Sequence, residues 1–280
     1  MKKFFKTVGW ILSLPFVFLI FGLRILRVKP KYKKYLTNPD SMPIEIRYKS
    51  VYNLIKNVLY IKRYKISSTG LNDLPINPSL YVSNHKSNMD PLIIYKLLYE
   101  NAKIPYFRFI AKIELSKKKY LSYAFKLVDT IFIDRNNVRD TYNVLQEEIN
   151  LKDDKRSIVI FPEGTRVIDT EKMIDFHPGS FRIAYKYLIP IIPTVVVGAI
   201  DSEKDKQPNN YKNKRGVVYV NFLKQVKPQD YATIAINHTA KNIHDVVLAE
   251  YLRIFNLIKD NKEKPAVFFE EDEKSGDRRY

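Results

Sequence analysis

Beyond residue 79 the apolar positions fall into two alternating patterns. Short runs rich in β-branched residues, Leu80–Val82, Tyr106–Ala111, Thr130–Ile133, Ser157–Phe161, Ile191–Val197 and Val217–Phe222, read as strands. Stretches at helical spacing predict helices over 91–100, 119–127, 138–150, 181–187 and 241–259. Strands that alternate with helices predict an α/β fold, layered, with a mostly parallel sheet flanked by helices. Such sheets build their sites in the loops that follow the strands. His85, Arg135 and Glu163 each stand just after a predicted strand, so three segments point to one edge.

The first 65 residues follow another pattern. Thr7 to Leu23 is a run of seventeen uncharged residues, near the lower limit of about 17 for crossing a bilayer. Pro15 in its middle is expected to kink the helix or turn it back. Lys2, Lys3 and Lys6 precede the run, and Arg24, Arg27, Lys29, Lys31, Lys33 and Lys34 follow it. Basic flanks on both sides suit an interfacial or re-entrant anchor better than a clean span, and favour a cytoplasmic C-terminal side. No small-x-small cleavage site follows Leu23, which argues against a removed signal peptide. Residues 44–66 predict an amphipathic helix, with Ile46, Val51, Leu54, Ile55, Val58 and Leu59 apolar and Lys49, Lys56, Lys62 and Arg63 cationic. It either lies on a headgroup surface or packs on the domain. The expected organisation is a membrane anchor with a basic helical region over 1–65, an α/β domain over 66–260 and a charged, disordered tail over 261–280.

Charge sharpens this picture. The net charge is +18, and residues 24–65 alone hold twelve Lys/Arg against Asp40 and Glu45. A basic block directly behind an apolar run points to an anionic membrane surface rather than to nucleic acid, for which no binding module is present. The chain has no cysteine, which excludes disulfides, thiolate nucleophiles and Cys-based zinc sites. Its four histidines, at 85, 177, 238 and 244, are too scattered to predict a metal site; His238 and His244 read as surface residues.

Two segments carry candidate chemistry. In Asn84-His85-Lys86-Ser87-Asn88-Met89-Asp90, a His is followed five positions later by an Asp. On one helix these would lie about 140° apart, so His85 belongs in the loop and the helix starts near Ser87–Pro91. Asp90 as N-cap before Pro91, or Ser87 with Asp90 as a capping box, both fit. An Asp on one imidazole nitrogen fixes the tautomer and frees the other nitrogen as a general base. In Phe161-Pro162-Glu163-Gly164-Thr165-Arg166, Pro162 ends a buried strand, Gly164 permits a tight turn, and Arg166 offers a fork that fits a phosphate. Glu163 is placed to orient that Arg or a substrate hydroxyl.

These segments together resemble the glycerolipid acyltransferase family, in particular its 1-acyl-glycerol-3-phosphate acyltransferases. Residues 84–90 look like that family's His-x4-Asp block, Ile131–Arg135 like its second block, Phe161–Arg166 like its third and Ile189–Pro193 like its fourth; Ala111–Leu115 matches a further Ala-Lys-x-Glu-Leu segment. The resemblance covers roughly residues 65–230. It implies His85 as base and Asp90 as its partner. It also implies a glycerol-phosphate site of Arg135, Glu163, Gly164, Thr165 and Arg166 with Lys112, and an acyl-donor region shaped by Pro190 and Pro193. Two positions depart from the pattern: Val128-Asp129-Thr130 stands where a small Gly is usual, and His177 where a basic residue is usual.

The implied reaction moves an acyl chain from a thioester, acyl-CoA or acyl-acyl-carrier-protein, to the 2-hydroxyl of a lysophosphatidate at the cytoplasmic face of the cell membrane. The thioester is a co-substrate, and neither metal nor bound cofactor is implied. Backbone N–H groups near 87–91 are the expected donors to the oxyanion. The rivals are the same fold with another acceptor, glycerol-3-phosphate or another lysophospholipid, and a basic membrane adaptor without turnover.

Overall fold

The computed structural model describes residues 2–259 other than 102–103, 105, 136, 138–143, 146, 150–154, 168–171 and 200–216. The helix expected over 138–150 and the tail over 261–280 therefore lie largely or wholly outside the described residues. The chain groups into two compact units. One comprises Met1–Arg63 and Ala111–Phe132, the other Tyr64–Ile110 and Ile133–Tyr280. The boundary expected at 65 falls close by, but Ala111–Phe132, read as part of the α/β domain, groups with the N-terminal helices.

The helical unit is built on α1 (Lys2–Thr37), α2 (Ile44–Ile61) and α4 (Leu121–Leu127). Of the two outcomes expected at Pro15, the reversal does not occur: α1 runs on through both Pro15 and Pro30. A proline removes one ladder bond and costs about 3 kcal/mol, yet α1 is tied to α2 on both sides of Pro15. Trp10 Nε1 donates to the Tyr60 carbonyl and Ser13 shares a hydrogen bond with the Tyr60 hydroxyl. Further along, Arg24 donates to Asn57 Oδ1 and the Asn53 carbonyl, and Lys31 to Ser50. The partner numbers fall as those on α1 rise, so the two helices run antiparallel. Thr7–Thr37 is long and apolar enough to cross a membrane, and its apolar stretch is almost wholly unburied: Leu12, Phe16 and Leu19 all face outward.

The same unit explains why Asp129 stands where a Gly is usual. Its φ is +49°, a left-handed conformation that costs a side chain about 1–2 kcal/mol. Arg47 of α2 donates to Asp129 Oδ2 at 2.7 Å and to the Leu127 carbonyl at 2.8 Å. Tyr35 donates to Asp129 Oδ1 at 3.2 Å and lies with its ring 4.1 Å from the Arg47 guanidinium. The carboxylate anchors the turn that a glycine would have made easy.

Among the described residues the sheet has seven strands: β1 (Lys65–Thr69), β2 (Leu80–Ser83), β3 (Phe107–Lys112), β4 (Ile131–Ile133), β5 (Ser157–Ile160), β6 (Ile191–Val197) and β7 (Val217–Phe222), in the order β1-β7-β6-β2-β5-β3-β4. β2 is parallel to β5 and β6, β3 to β5 and β1 to β7; β6 and β7 pair antiparallel. β2, β5 and β6 are buried at every residue. That explains their continuous apolar character, since a strand covered on both faces has no polar side to alternate with. β1 was not foreseen, because Lys65-Ile66-Ser67-Ser68-Thr69 offers one aliphatic residue in five. α3 (Asp90–Glu100), α5 (Arg182–Tyr187) and α6 (Ile236–Lys259) complete the described helices used below.

Candidate active site

The site begins where β2 ends. Asn84 is fully buried and pairs its amide with β6, donating from Nδ2 to the Val196 carbonyl and accepting from Val196 N. The side chain thus satisfies backbone groups that a further strand residue would have met. The backbone is freed to turn, and His85 follows at the carboxyl end of the parallel strand, as α/β sites require.

His85 Nδ1 lies 3.1 Å from Asp90 Oδ2. Both expected helix starts are partly realised. α3 begins at Asp90 with Pro91 in its first turn and Met89 as cap residue. Ser87 N also donates to Asp90 Oδ2 and Ser87 Oγ accepts from Met89 N, as in a capping box. Asp90 does not cap its own helix; its carboxylate turns back to the loop, where Lys86 N donates to the same oxygen at 2.7 Å. Asp90 is fully buried. Burial pushes its carboxyl above the ordinary value, while the imidazole and the two backbone amides pull it back. With Nδ1 committed to Asp90, Nε2 is the nitrogen left to take a substrate proton.

These bonds engage several of the amides expected as oxyanion donors. The amides of Ser87 and Met89 are used within the turn, that of Asp90 donates to the Ser87 carbonyl, and Pro91 has none.

The Phe161–Arg166 segment comes directly against this loop. The His85 ring stacks on Phe161, 4.4 Å between centroids. His85 N donates to Glu163 Oε1 at 2.7 Å, and Ile174 N donates to Oε2 at 3.2 Å. Burial raises the Glu163 carboxyl above its usual range, opposed by these two amides. Gly164 has φ +70°, and a Cβ there would stand 3.1 Å from His177 Nε2, so both conformation and space call for glycine. His177 is exposed, its ring against Gly164 and its amide on the Pro162 carbonyl.

Thr165 and Arg166 are exposed in the same turn, which closes with Val167 N donating to the His85 carbonyl at 3.0 Å. Arg135 stands exposed in the turn after β4. Lys112, the last residue of β3, is exposed and groups with the helical unit. Pro190 and Pro193 are not brought to His85. Pro193 is level with Val82, and the Pro190 carbonyl accepts from Leu80 N. At about 3.3 Å per residue, Leu80 lies roughly 16 Å along the strand from His85. Near that end a pocket of about 350 Å³ lies between Leu74, Ile192, Phe222 and Leu223.

Sequence reasoning missed the roles of Asn84 and Phe161, which an amide and an aromatic ring at the ends of buried strands could have suggested. It also misplaced His244, which is buried on α6 with its ring edge on Phe176 at 5.2 Å and Nδ1 on Asp245. Among the described residues, no three His, Asp or Glu side chains gather as metal ligands would.

Residues 65–197 match the acyltransferase family model, a span that holds both His85 and Arg166. A probable 1-acyl-sn-glycerol-3-phosphate acyltransferase of Mycoplasma genitalium is 37% identical over 90% of this chain and 97% of its own length. The chain belongs to the acyltransferase family. An acyltransferase of the same name from Mycoplasma pneumoniae is 34% identical over 83% of this chain and 88% of its own length. The crystal structure of a 1-acyl-sn-glycerophosphate acyltransferase from Thermotoga maritima shares the acyltransferase fold, with a TM-score of 0.54 and 19% identity over 84% of this chain and 97% of that one.

Proposed function

We propose that this acyltransferase moves an acyl chain from a thioester, acyl-CoA or acyl-acyl-carrier-protein, to the 2-hydroxyl of 1-acyl-glycerol-3-phosphate, giving phosphatidate. The observation that carries the reading is the His85–Asp90 pair, with Nδ1 held at 3.1 Å and Nε2 left for the substrate. As the hydroxyl oxygen attacks the thioester carbonyl, Nε2 takes its proton. The C–O bond forms, the C–S bond breaks, and the imidazolium returns the proton to the leaving thiolate. Asp90 stabilises the imidazolium in between. Such base catalysis contributes about 10²–10⁴-fold. The thioester is the only co-reactant, and no metal or bound cofactor enters the scheme.

Arg166 and Arg135 are the cations assigned to the acceptor phosphate, with Thr165 preceding Arg166 in its turn; holding that group orients the hydroxyl toward His85. The activity for which the Mycoplasma relatives are named supports this acceptor. The exposed apolar face of α1 and the net charge of +18 suit a lipid acceptor met at an anionic membrane surface, and an acidic carrier protein as donor. The positive-inside rule favours the cytoplasmic face. The test presents purified full-length protein with lysophosphatidate, glycerol-3-phosphate and lysophosphatidylcholine in mixed micelles, with each thioester donor. Phosphatidate is the expected product; acylation of either other acceptor in preference would overturn the assignment.

A further inference from the structure

Glu163 belongs to the segment whose resemblance implies contact with the acceptor, but its surroundings assign it another task. We propose that Glu163 is a positioning residue for His85, and that Phe161–Val167 is the cradle of the base. The inference rests on the reading of His85 as that base.

Three contacts make the cradle. The His85 amide donates to Glu163 Oε1, the His85 carbonyl accepts from Val167 N, and the His85 ring lies on Phe161. One short segment thus holds the backbone of His85 on both sides and its imidazole from one face. Glu163 is 1% exposed, and its second oxygen is taken by Ile174 N. Both oxygens are committed to backbone donors, and no face is left for a lipid headgroup. A carboxylate suits this place because it offers an acceptor to each of two amides from separate segments, whereas a neutral amide offers only one. Its buried negative charge also lies near the ring that becomes cationic during the reaction.

The arrangement has a consequence for Arg166. It lies between Glu163 and Val167, the two residues bonded to the His85 peptide. The exposed guanidinium that meets the phosphate and the imidazole that meets the hydroxyl therefore ride on one braced unit. A misplacement of about 1 Å at such a site costs about 10²-fold in rate.

The experiment measures kcat and KM for lysophosphatidate in mixed micelles with the full-length chain, comparing Glu163→Ala and Glu163→Gln with His85→Ala and Arg166→Ala. Glu163→Ala is expected to lower kcat about 100-fold at unchanged KM. Glu163→Gln keeps an acceptor for the His85 amide and loses the one facing Ile174, so it should recover most of that loss while staying several-fold below wild type, again at unchanged KM. Arg166→Ala should show the opposite split, with KM raised. If Glu163→Ala does not fold, the Gln variant carries the test alone. A raised KM with kcat retained in either Glu163 variant would make Glu163 a substrate ligand and overturn the inference, as would wild-type kinetics in Glu163→Gln. Full activity in His85→Ala would instead remove the base on which the inference rests, whatever the Glu163 variants do.

Discussion

Arg47 with Asp129 in the helical unit, and His85 with Asp90 in the sheet unit, are both largely buried acid–base pairs. They differ in what they leave open. Both oxygens of Asp129 are engaged, one by Arg47 and one by Tyr35, and Arg47 also takes the Leu127 carbonyl and lies against an aromatic ring. Asp90 gathers the imidazole and two amides on Oδ2, while Oδ1 is buried without a partner among the described residues, and His85 keeps Nε2 for a substrate. An always-charged guanidinium suits the first pair and a titratable ring the second. The pair that holds a turn is closed on its acid and leaves only a guanidinium nitrogen, Arg47 Nε, without a partner among the described residues; the pair that moves a proton leaves an imidazole nitrogen.

The contrast predicts opposite outcomes when each base is removed. His85→Ala should lose about 10²–10⁴-fold in kcat and keep its melting temperature within a few degrees. Arg47→Ala should do the reverse. Unpairing a buried charge costs about 3–5 kcal/mol, so urea unfolding should shift strongly while turnover per folded molecule survives. A joint Arg47→Met and Asp129→Gly replacement should be milder than Arg47→Ala, since it removes both charges and lets glycine take the left-handed φ. A double variant at least as unstable as Arg47→Ala would deny the pair its holding role.

Smaller effects sharpen the site. Gly164→Ala forces a side chain into φ +70° against His177, which should destabilise by about 1–2 kcal/mol and lower activity through the turn that carries Arg166. Asp90→Asn separates chemistry from stability. Burial holds the Asp90 pKa above its unfolded value near 3.8. Its contribution to stability is therefore full below that value and is lost as pH rises through the folded pKa. At pH 7.5 that contribution is reduced, so thermal melts should show Asn equal to or slightly above wild type there, with wild type relatively better at acid pH, while acyl transfer falls. A clearly lower melting temperature for Asn at pH 7.5 would contradict the sign.

Much of the fold was legible because its strands are short and covered on both faces. Ile191–Val197 and Val217–Phe222 were read to the residue from β-branched runs between polar segments. The His–Asp pair was legible from spacing, since five residues on one helix could not have met. What the sequence hid were contacts made through backbone. Nothing in Glu163 announces that it accepts from His85 N, nor in Asn84 that it pairs with Val196. At Pro15 local propensity predicts a kink or a reversal; α1 does not reverse, and bonds from Trp10 and Arg24 tie it to α2 on both sides of the proline. Pro190 and Pro193 are assigned by resemblance alone; strand register sets Pro193 level with Val82, and Pro190 stands just before β6, where its carbonyl accepts from Leu80 N.

The most direct test of the central claim is acyl transfer by purified protein to lysophosphatidate in mixed micelles, with acyl-CoA and acyl-acyl-carrier-protein as donors, wild type beside His85→Ala. Wild type should form phosphatidate with at least one donor, and His85→Ala should lose it almost completely while remaining folded. Phosphatidate formed at the wild-type rate by His85→Ala would remove the imidazole from the mechanism and contradict the account.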